Sequence, residues 1–129
     1  MPSIGTNNKR KGSNAERFYA KIFRDLGFDK CITSRQGSRL HDNAGIDLMF
    51  LPYNIQIKCG KQKGINYSKE LQYIRDRIKE LFPEGSPEFV KPNILIHKKP
   101  KIEGKRDRGE FDELVILSMN DFITYFIKK

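Results

Sequence analysis

The sequence predicts an α/β fold, a central mixed β-sheet flanked by helices. Three observations predict it. Apolar residues recur at helical spacing over residues 13–26 and 67–81, which gives each segment one face to lay on a sheet. Short apolar runs at 28–34, 46–50, 55–59, 93–97 and 113–117 are bounded by Gly, Pro, Asn and Asp, the punctuation of strands. With a C-terminal helix the order is α-β-β-β-α-β-β-α, for which a mixed sheet with helices on its faces is the natural architecture.

Residues 1–12 hold Asn7, Asn8, Lys9, Arg10, Lys11 and Gly12 and no core-forming run, so they read as a flexible basic arm preceding a single domain at 13–129. The first helix runs from about Ser13 to Leu26, with Ala15, Phe18, Tyr19, Ile22, Phe23 and Leu26 on one face. Ser13 and Glu16 fit a capping box at its start, and Gly27 stops it. A strand over Phe28–Ser34 and a polar loop over Arg35–Ala44 follow. Next come two apolar runs around a Pro52-Tyr53-Asn54 turn signal, the pattern of a β-hairpin. Lys61–Asn66 is a basic connection, and Tyr67–Leu81 is a helix with Leu71, Ile74, Ile78 and Leu81 on one side. Pro83, Gly85, Pro87 and Pro92 break the chain before a strand at Asn93–His97. A basic loop, Lys98–Gly109, leads to a strand at Glu113–Leu117. Ser118 and Asp121 then open a last helix carrying Met119, Phe122, Ile123, Phe126 and Ile127 as its buried or interface side.

The 129 residues, 37% of them apolar, suffice for one core and not two. No apolar run is long enough to span a membrane, and no signal-peptide pattern opens the chain. Cys31 and Cys59 lack partners at metal-ligand spacing and read as reduced thiols of a cytoplasmic protein, with Cys59 in the core. Twenty-five Lys and Arg against 16 Asp and Glu give a net charge of +9, clustered in the arm and two loops. A small domain this basic is expected to meet a polyanion, here nucleic acid, and not a membrane surface.

The hairpin carries the chemistry. Side chains alternate across a strand, so Ile46, Leu48 and Phe50 share one face and Ile55, Ile57 and Cys59 share another. If these apolar faces meet one core, Asp47, Gln56 and Lys58 converge on the opposite side. A carboxylate, an amide oxygen and an ammonium together suit a divalent cation and a phosphate. Glu16, near the buried stripe of the first helix, is a candidate to reach over the sheet, or serves only as the capping residue. Asp42 either adds a ligand or makes a turn with Asn43 and Gly45. His41 and His97 are isolated and read as surface or loop residues, and Tyr53 and Tyr67 as packing groups.

In matching order, Glu16, Ile46-Asp47 and Gln56-Ile57-Lys58 resemble the site motif of the PD-(D/E)xK nuclease superfamily, over residues 13–81. By size the likeness is to archaeal- or phage-type Holliday-junction resolvases. Two positions depart from the motif: Ile46 stands where a Pro is usual, and Gln56 where a Glu is usual. The latter is the Q-x-K variant of Mrr-type enzymes.

The resemblance implies a restriction-endonuclease-like sheet and a Mg²⁺-dependent endonuclease, with Mn²⁺ as a substitute, cutting four-way or other branched DNA to leave 5′-phosphate and 3′-hydroxyl ends. It implies catalytic roles for Glu16, Asp47, Gln56 and Lys58. Glu16, Asp47, the Gln56 side-chain oxygen and the Ile57 carbonyl would serve as metal ligands, with Asp42 as a further candidate. A homodimer matches the two-fold symmetry of a junction, and the setting would be a prokaryotic, archaeal or phage-infected cell. Phosphate contacts are expected from Lys9, Arg10, Lys11, Arg35, Arg39, Lys61, Lys63, Lys98, Lys99, Lys105 and Arg106. The alternatives are a non-catalytic DNA-binding protein on a degenerate nuclease fold and a Mrr-like duplex nuclease.

Overall fold

A long amphipathic helix opens the chain. The computed structural model of the protein describes residues 4–60, 64–100 and 109–128, with side chains from residue 12 onward. Helix α1 covers Ile4–Asp25 and ends at Gly27, whose φ of +113° suits a residue without a Cβ. Then follow β1 (Ile32–Thr33), α2 (Ser34–Gly37), α3 (Arg39–Asn43), β2 (Leu48–Met49) and β3 (Asn54–Cys59). Helix α4 (Tyr67–Leu81), β4 (Asn93–Lys98), β5 (Glu113–Ile116) and α5 (Met119–Phe122) complete the order, and α5 runs on into a π-helical turn at Ile123–Ile127.

The main sheet is mixed, in the order β3-β4-β5, with β3 parallel to β4 and β4 antiparallel to β5. The parallel pair is joined through α4, the crossover that a parallel connection requires. A separate antiparallel pair is formed by β1 and β2.

Alternation along β3 and β4 sets the layers. Ile55, Ile94 and Ile96 face α1 and pack with Tyr19, Ala20, Cys31, Leu48 and Leu51. Leu95 faces α4 and packs with Ile74, Ile78, Phe82, Ala44 and Ile46. The sheet therefore lies between two helices, and the polar residues of β3 fall on the α4 side.

Several expectations need correction. The arm and the capping box at Ser13 are replaced by one continuous helix from Ile4. Ser13 and Asn14 accept hydrogen bonds from Arg17 on the helix surface, so their side chains do not cap a helix start. The polar loop at 35–44 folds into α2 and α3. The hairpin does not form a ladder: β2 pairs with β1, and Phe50 takes a φ of +64°, which ends the strand. Ile46 and Leu48 consequently enter opposite cores, and Phe50 is exposed. Cys31 is fully buried and Cys59 half-buried, the reverse of the expectation that Cys59 is the core thiol. Ser118 caps α5 by accepting from the Asp121 N–H at 3.0 Å, yet Met119 and Ile127 stay 71% and 62% exposed, so the apolar side of this segment is not core.

Among the described residues no helix is long and apolar enough to cross a membrane.

His97 is not a surface residue. It is wholly buried in β4, with Nδ1 2.6 Å from the Tyr67 hydroxyl and Nε2 2.8 Å from the Gly60 carbonyl. The imidazole thus fastens the start of α4 and the end of β3 to the central strand. Tyr67→Phe leaves one ring nitrogen buried without a partner. Urea unfolding should show a loss of about 1–3 kcal/mol; an unchanged midpoint would remove the hydroxyl from the list of stabilising contacts.

Candidate metal centre

Three carboxylates meet at the edge of β3. Glu16 comes from the inward side of α1 and is only 4% exposed. Asp42 comes from α3, and Asp47 from the segment just before β2. Each offers an oxygen within 4.8 Å of the others. Local structure explains the convergence. Ser38 caps α3, accepting from the His41 N–H at 3.2 Å. His41 bridges Ser38 Oγ at 2.8 Å and Glu88 Oε1 at 2.9 Å, which fixes the short helix that carries Asp42. Gly45, at φ +80°, then turns the chain so that Asp42 and Asp47 lie side by side. A methyl group at Gly45 would sit 2.8 Å from Gln56 Nε2, so glycine also makes room for that side chain.

Asp47 is held by backbone on both sides. Its N–H donates to the Ile55 carbonyl at 2.7 Å, and its carbonyl accepts from the Ser34 N–H at 2.9 Å. Its Oδ2 accepts from the Ile57 N–H at 2.7 Å. Burial pushes the Asp47 carboxyl up from 3.8 to about 8; the Ile57 N–H opposes this, while Glu16 and Asp42 add to it.

Gln56, on β3, is 7% exposed, and its Oε1 is buried with no hydrogen-bond partner among the described residues. An orphaned acceptor of this kind calls for a donor or a cation. Gln56 lines an open cleft of about 340 Å³ together with Gly12, Glu16, Arg35, Asp42, Asp47 and Lys58. The Ile57 N–H points to the edge of β3 that β4 leaves free, and the Ile57 carbonyl shares that edge. The donors around the cleft are therefore oxygens from three acids, one amide and one backbone carbonyl. That set fits a hard divalent cation such as Mg²⁺ or Mn²⁺.

All four motif residues, Glu16, Asp47, Gln56 and Lys58, line this one cleft, and Asp42 joins them. Lys58 is not free: its Nζ lies 3.1 Å from Glu70 Oε2 on α4. Arg35, expected to meet DNA phosphates, donates from Nε to Glu16 Oε2 at 2.6 Å and lines the same cleft. Arg39 is exposed on α3. Lys98 lies 4.2 Å above the Phe18 ring, on the α1 side of the sheet, and the Lys99 N–H donates to the Asp112 carbonyl. Lys9, Arg10 and Lys11 fall in the first turns of α1, where side chains are outside the description; Lys61, Lys63, Lys105 and Arg106 lie outside the described residues.

Glu70 and Tyr73 are the cleft's unexpected neighbours. Glu70 precedes the fully buried Ile74 by one helical turn. That places it on the inward side of α4, a signal present in the sequence.

No protein-family model, curated protein or solved structure matches the chain. The site is accordingly tested on its own chemistry. Without metal, folded Asp47 keeps its proton to about pH 8, whereas the unfolded chain loses it near 3.8. Between these values the native state binds more protons than the unfolded one, so stability falls as pH rises. The contribution is complete below 3.8 and lost on passing about 8. In EDTA, Asp47→Asn should flatten this part of the Tm-against-pH curve and raise Tm at pH 8.5. A variant curve parallel to the wild type would show that Asp47 does not carry the buried proton.

Proposed function

We propose that the protein is a metal-dependent DNA endonuclease of restriction-endonuclease-like fold, acting on branched DNA such as a four-way junction. The single observation that carries the reading is the unpartnered, buried Gln56 Oε1 lining one cleft with three carboxylates and Lys58. The net charge of +9 supports a polyanionic substrate.

Asp47 and Asp42, with the Gln56 oxygen and the Ile57 carbonyl, would hold the cation. When bound, Mg²⁺ supplies Lewis-acid stabilisation of phosphoryl charge and lowers the pKa of a coordinated water. The chain does the rest. The Ile57 N–H fixes the Asp47 carboxylate in one orientation. Lys58, 30% exposed at its side chain, stands in the same cleft to orient a water and offset charge on the scissile phosphate. Arg35 lines the cleft as a further phosphate-facing cation. The Lys58–Glu70 pair is the one observation favouring the non-catalytic alternative, because it withholds the ammonium from a substrate. In the nuclease reading a phosphate competes with Glu70 for it.

The test is direct. Labelled four-way junction, duplex and single-stranded DNA are incubated with the protein, with and without Mg²⁺. Wild type should cut the junction only with Mg²⁺. Asp47→Asn and Lys58→Ala should fold, bind and lose about 100- to 1000-fold in rate, the range for one transition-state contact. Tight junction binding without metal-dependent cleavage of any DNA would establish the binding-module alternative, and cutting by Asp47→Asn at the wild-type rate would falsify the site.

A two-fold substrate favours a two-fold enzyme, so a C2 homodimer completes the proposal. The exposed apolar side of α5 and its π-helical turn is the candidate interface. Phe122 and Phe126 stack there, and Phe126 stacks on Tyr53. Sedimentation at micromolar concentration should give a dimer, and the double variant Met119→Glu with Ile127→Glu a monomer. A monomeric wild type that still makes paired cuts would break the symmetry argument.

A further inference from the structure

The metal centre holds a built-in cation. Arg35 Nε lies 2.6 Å from Glu16 Oε2, and the Glu16 side chain is only 5% exposed whereas that of Arg35 is 47% exposed. This is a one-edged contact: a single guanidinium nitrogen meets a single carboxylate oxygen. Arg35 also feels the charges of Asp42 and Asp47, so its positive charge belongs to the whole acidic cluster and not to Glu16 alone.

Charge decides how many metal ions such a cluster admits. Once a cation has displaced the Asp47 proton, the three carboxylates Glu16, Asp42 and Asp47 with Arg35 among them carry a net charge of two negative. One divalent cation cancels it. A second would leave an excess of two positive charges in a cleft where Arg35 already repels it. The geometry agrees. Gln56 with its orphaned oxygen, Asp47 and the Ile57 carbonyl gather at the β3 edge, while Glu16 Oε2 is engaged by Arg35. The other cation of the cleft, Lys58, is balanced by Glu70 and does not alter the count.

We infer that the cleft is a one-metal centre in which the Arg35 guanidinium takes the place of a second divalent ion. Glu16 then acts chiefly as the seat of Arg35, and its remaining oxygen as part of the single ion's surroundings. The inference rests on the metal-centre reading and adds to it the stoichiometry and the reason for it.

The probe is Mn²⁺ alone, titrated into the 129-residue chain without DNA and counted by the electron paramagnetic resonance of free Mn²⁺. Wild type should bind about one ion per chain. Arg35→Lys keeps the positive charge and should also bind about one. Arg35→Gln removes it and should bind a second ion, or bind the first at least tenfold more tightly. A wild-type count of two is decisive against it by itself, and if Arg35→Gln folds poorly Arg35→Met takes its place in the titration. Two ions on the wild type would overturn the inference and leave the metal centre standing. Unchanged number and affinity in a folded Arg35→Gln would overturn it as well, as would weaker binding there, since Arg35 would then merely position Glu16. No Mn²⁺ bound to any of the three proteins would remove the metal centre itself, and the inference with it.

Discussion

Asp47 joins the two sheets of this protein, and the site depends on that joint. Its carbonyl accepts from Ser34, next to β1, and its N–H donates to Ile55 in β3. Its side chain accepts from Ile57, taking the place of a neighbouring strand for one donor on the free edge of β3. A strand edge with unpaired N–H groups is a liability; here a carboxylate occupies part of it. The same contacts fix the carboxylate in position and orientation. The residue that would hold a cation is therefore immobilised by the fold and not by the cation, which is the arrangement that preorganised sites require.

That arrangement has an electrostatic cost. Desolvation, with Glu16 and Asp42 nearby, drives Asp47 to about 8, so the metal-free cluster holds a proton near neutrality. Arg35 relieves part of the crowding at Glu16. What remains is a cleft rich in oxygen acceptors, where a divalent ion, if bound, would exchange for the proton. A buried carboxyl displaced this far by desolvation commonly marks a site of chemistry.

The sequence made the repetitive parts of the fold legible. Helix α4 spans Tyr67–Leu81, the range expected from the spacing of Leu71, Ile74, Ile78 and Leu81, and β4 and β5 lie within a residue of expectation at either end. Alternation placed Gln56 and Lys58 away from Ile55 and Ile57, and they do line a different face. Local pattern failed where long-range contacts decide. Ser13 and Glu16 look like a capping box, but α1 begins at Ile4, and Glu16 is buried by the cleft and Arg35. The Arg35–Glu16 pair spans 19 residues and the Glu88–His41 pair 47, distances at which no periodicity speaks. The hairpin failed for a conformational reason: Phe50 adopts a positive φ, so β2 stops after Met49 and leaves the edge of β3 to the Asp47 side chain. The pattern placed Asp47, Gln56 and Lys58 together at the middle of a sheet; they line one cleft at its free edge instead, with no hairpin ladder behind them.

That difference matters for how the cleft opens. A full hairpin would have covered the edge of β3 with backbone and left the Ile57 carbonyl paired. The shortened β2 instead leaves that edge to Asp47, with Gly45 clearing space beside Gln56. On the far rim, Glu70 of α4 restrains Lys58, and on the near rim Glu16 of α1 restrains Arg35. Each cation is tied to a carboxylate on a different helix, one on either face of the sheet. An incoming phosphate that drew both cations toward it would be gripped from both layers of the fold at once. The two helices are themselves pinned, α4 through Tyr67 on His97 and α1 through Tyr19 on Glu113. The Asp47 carboxylate is thus held by backbone, while Arg35 and Lys58 reach the same cleft on long side chains, each met by one carboxylate.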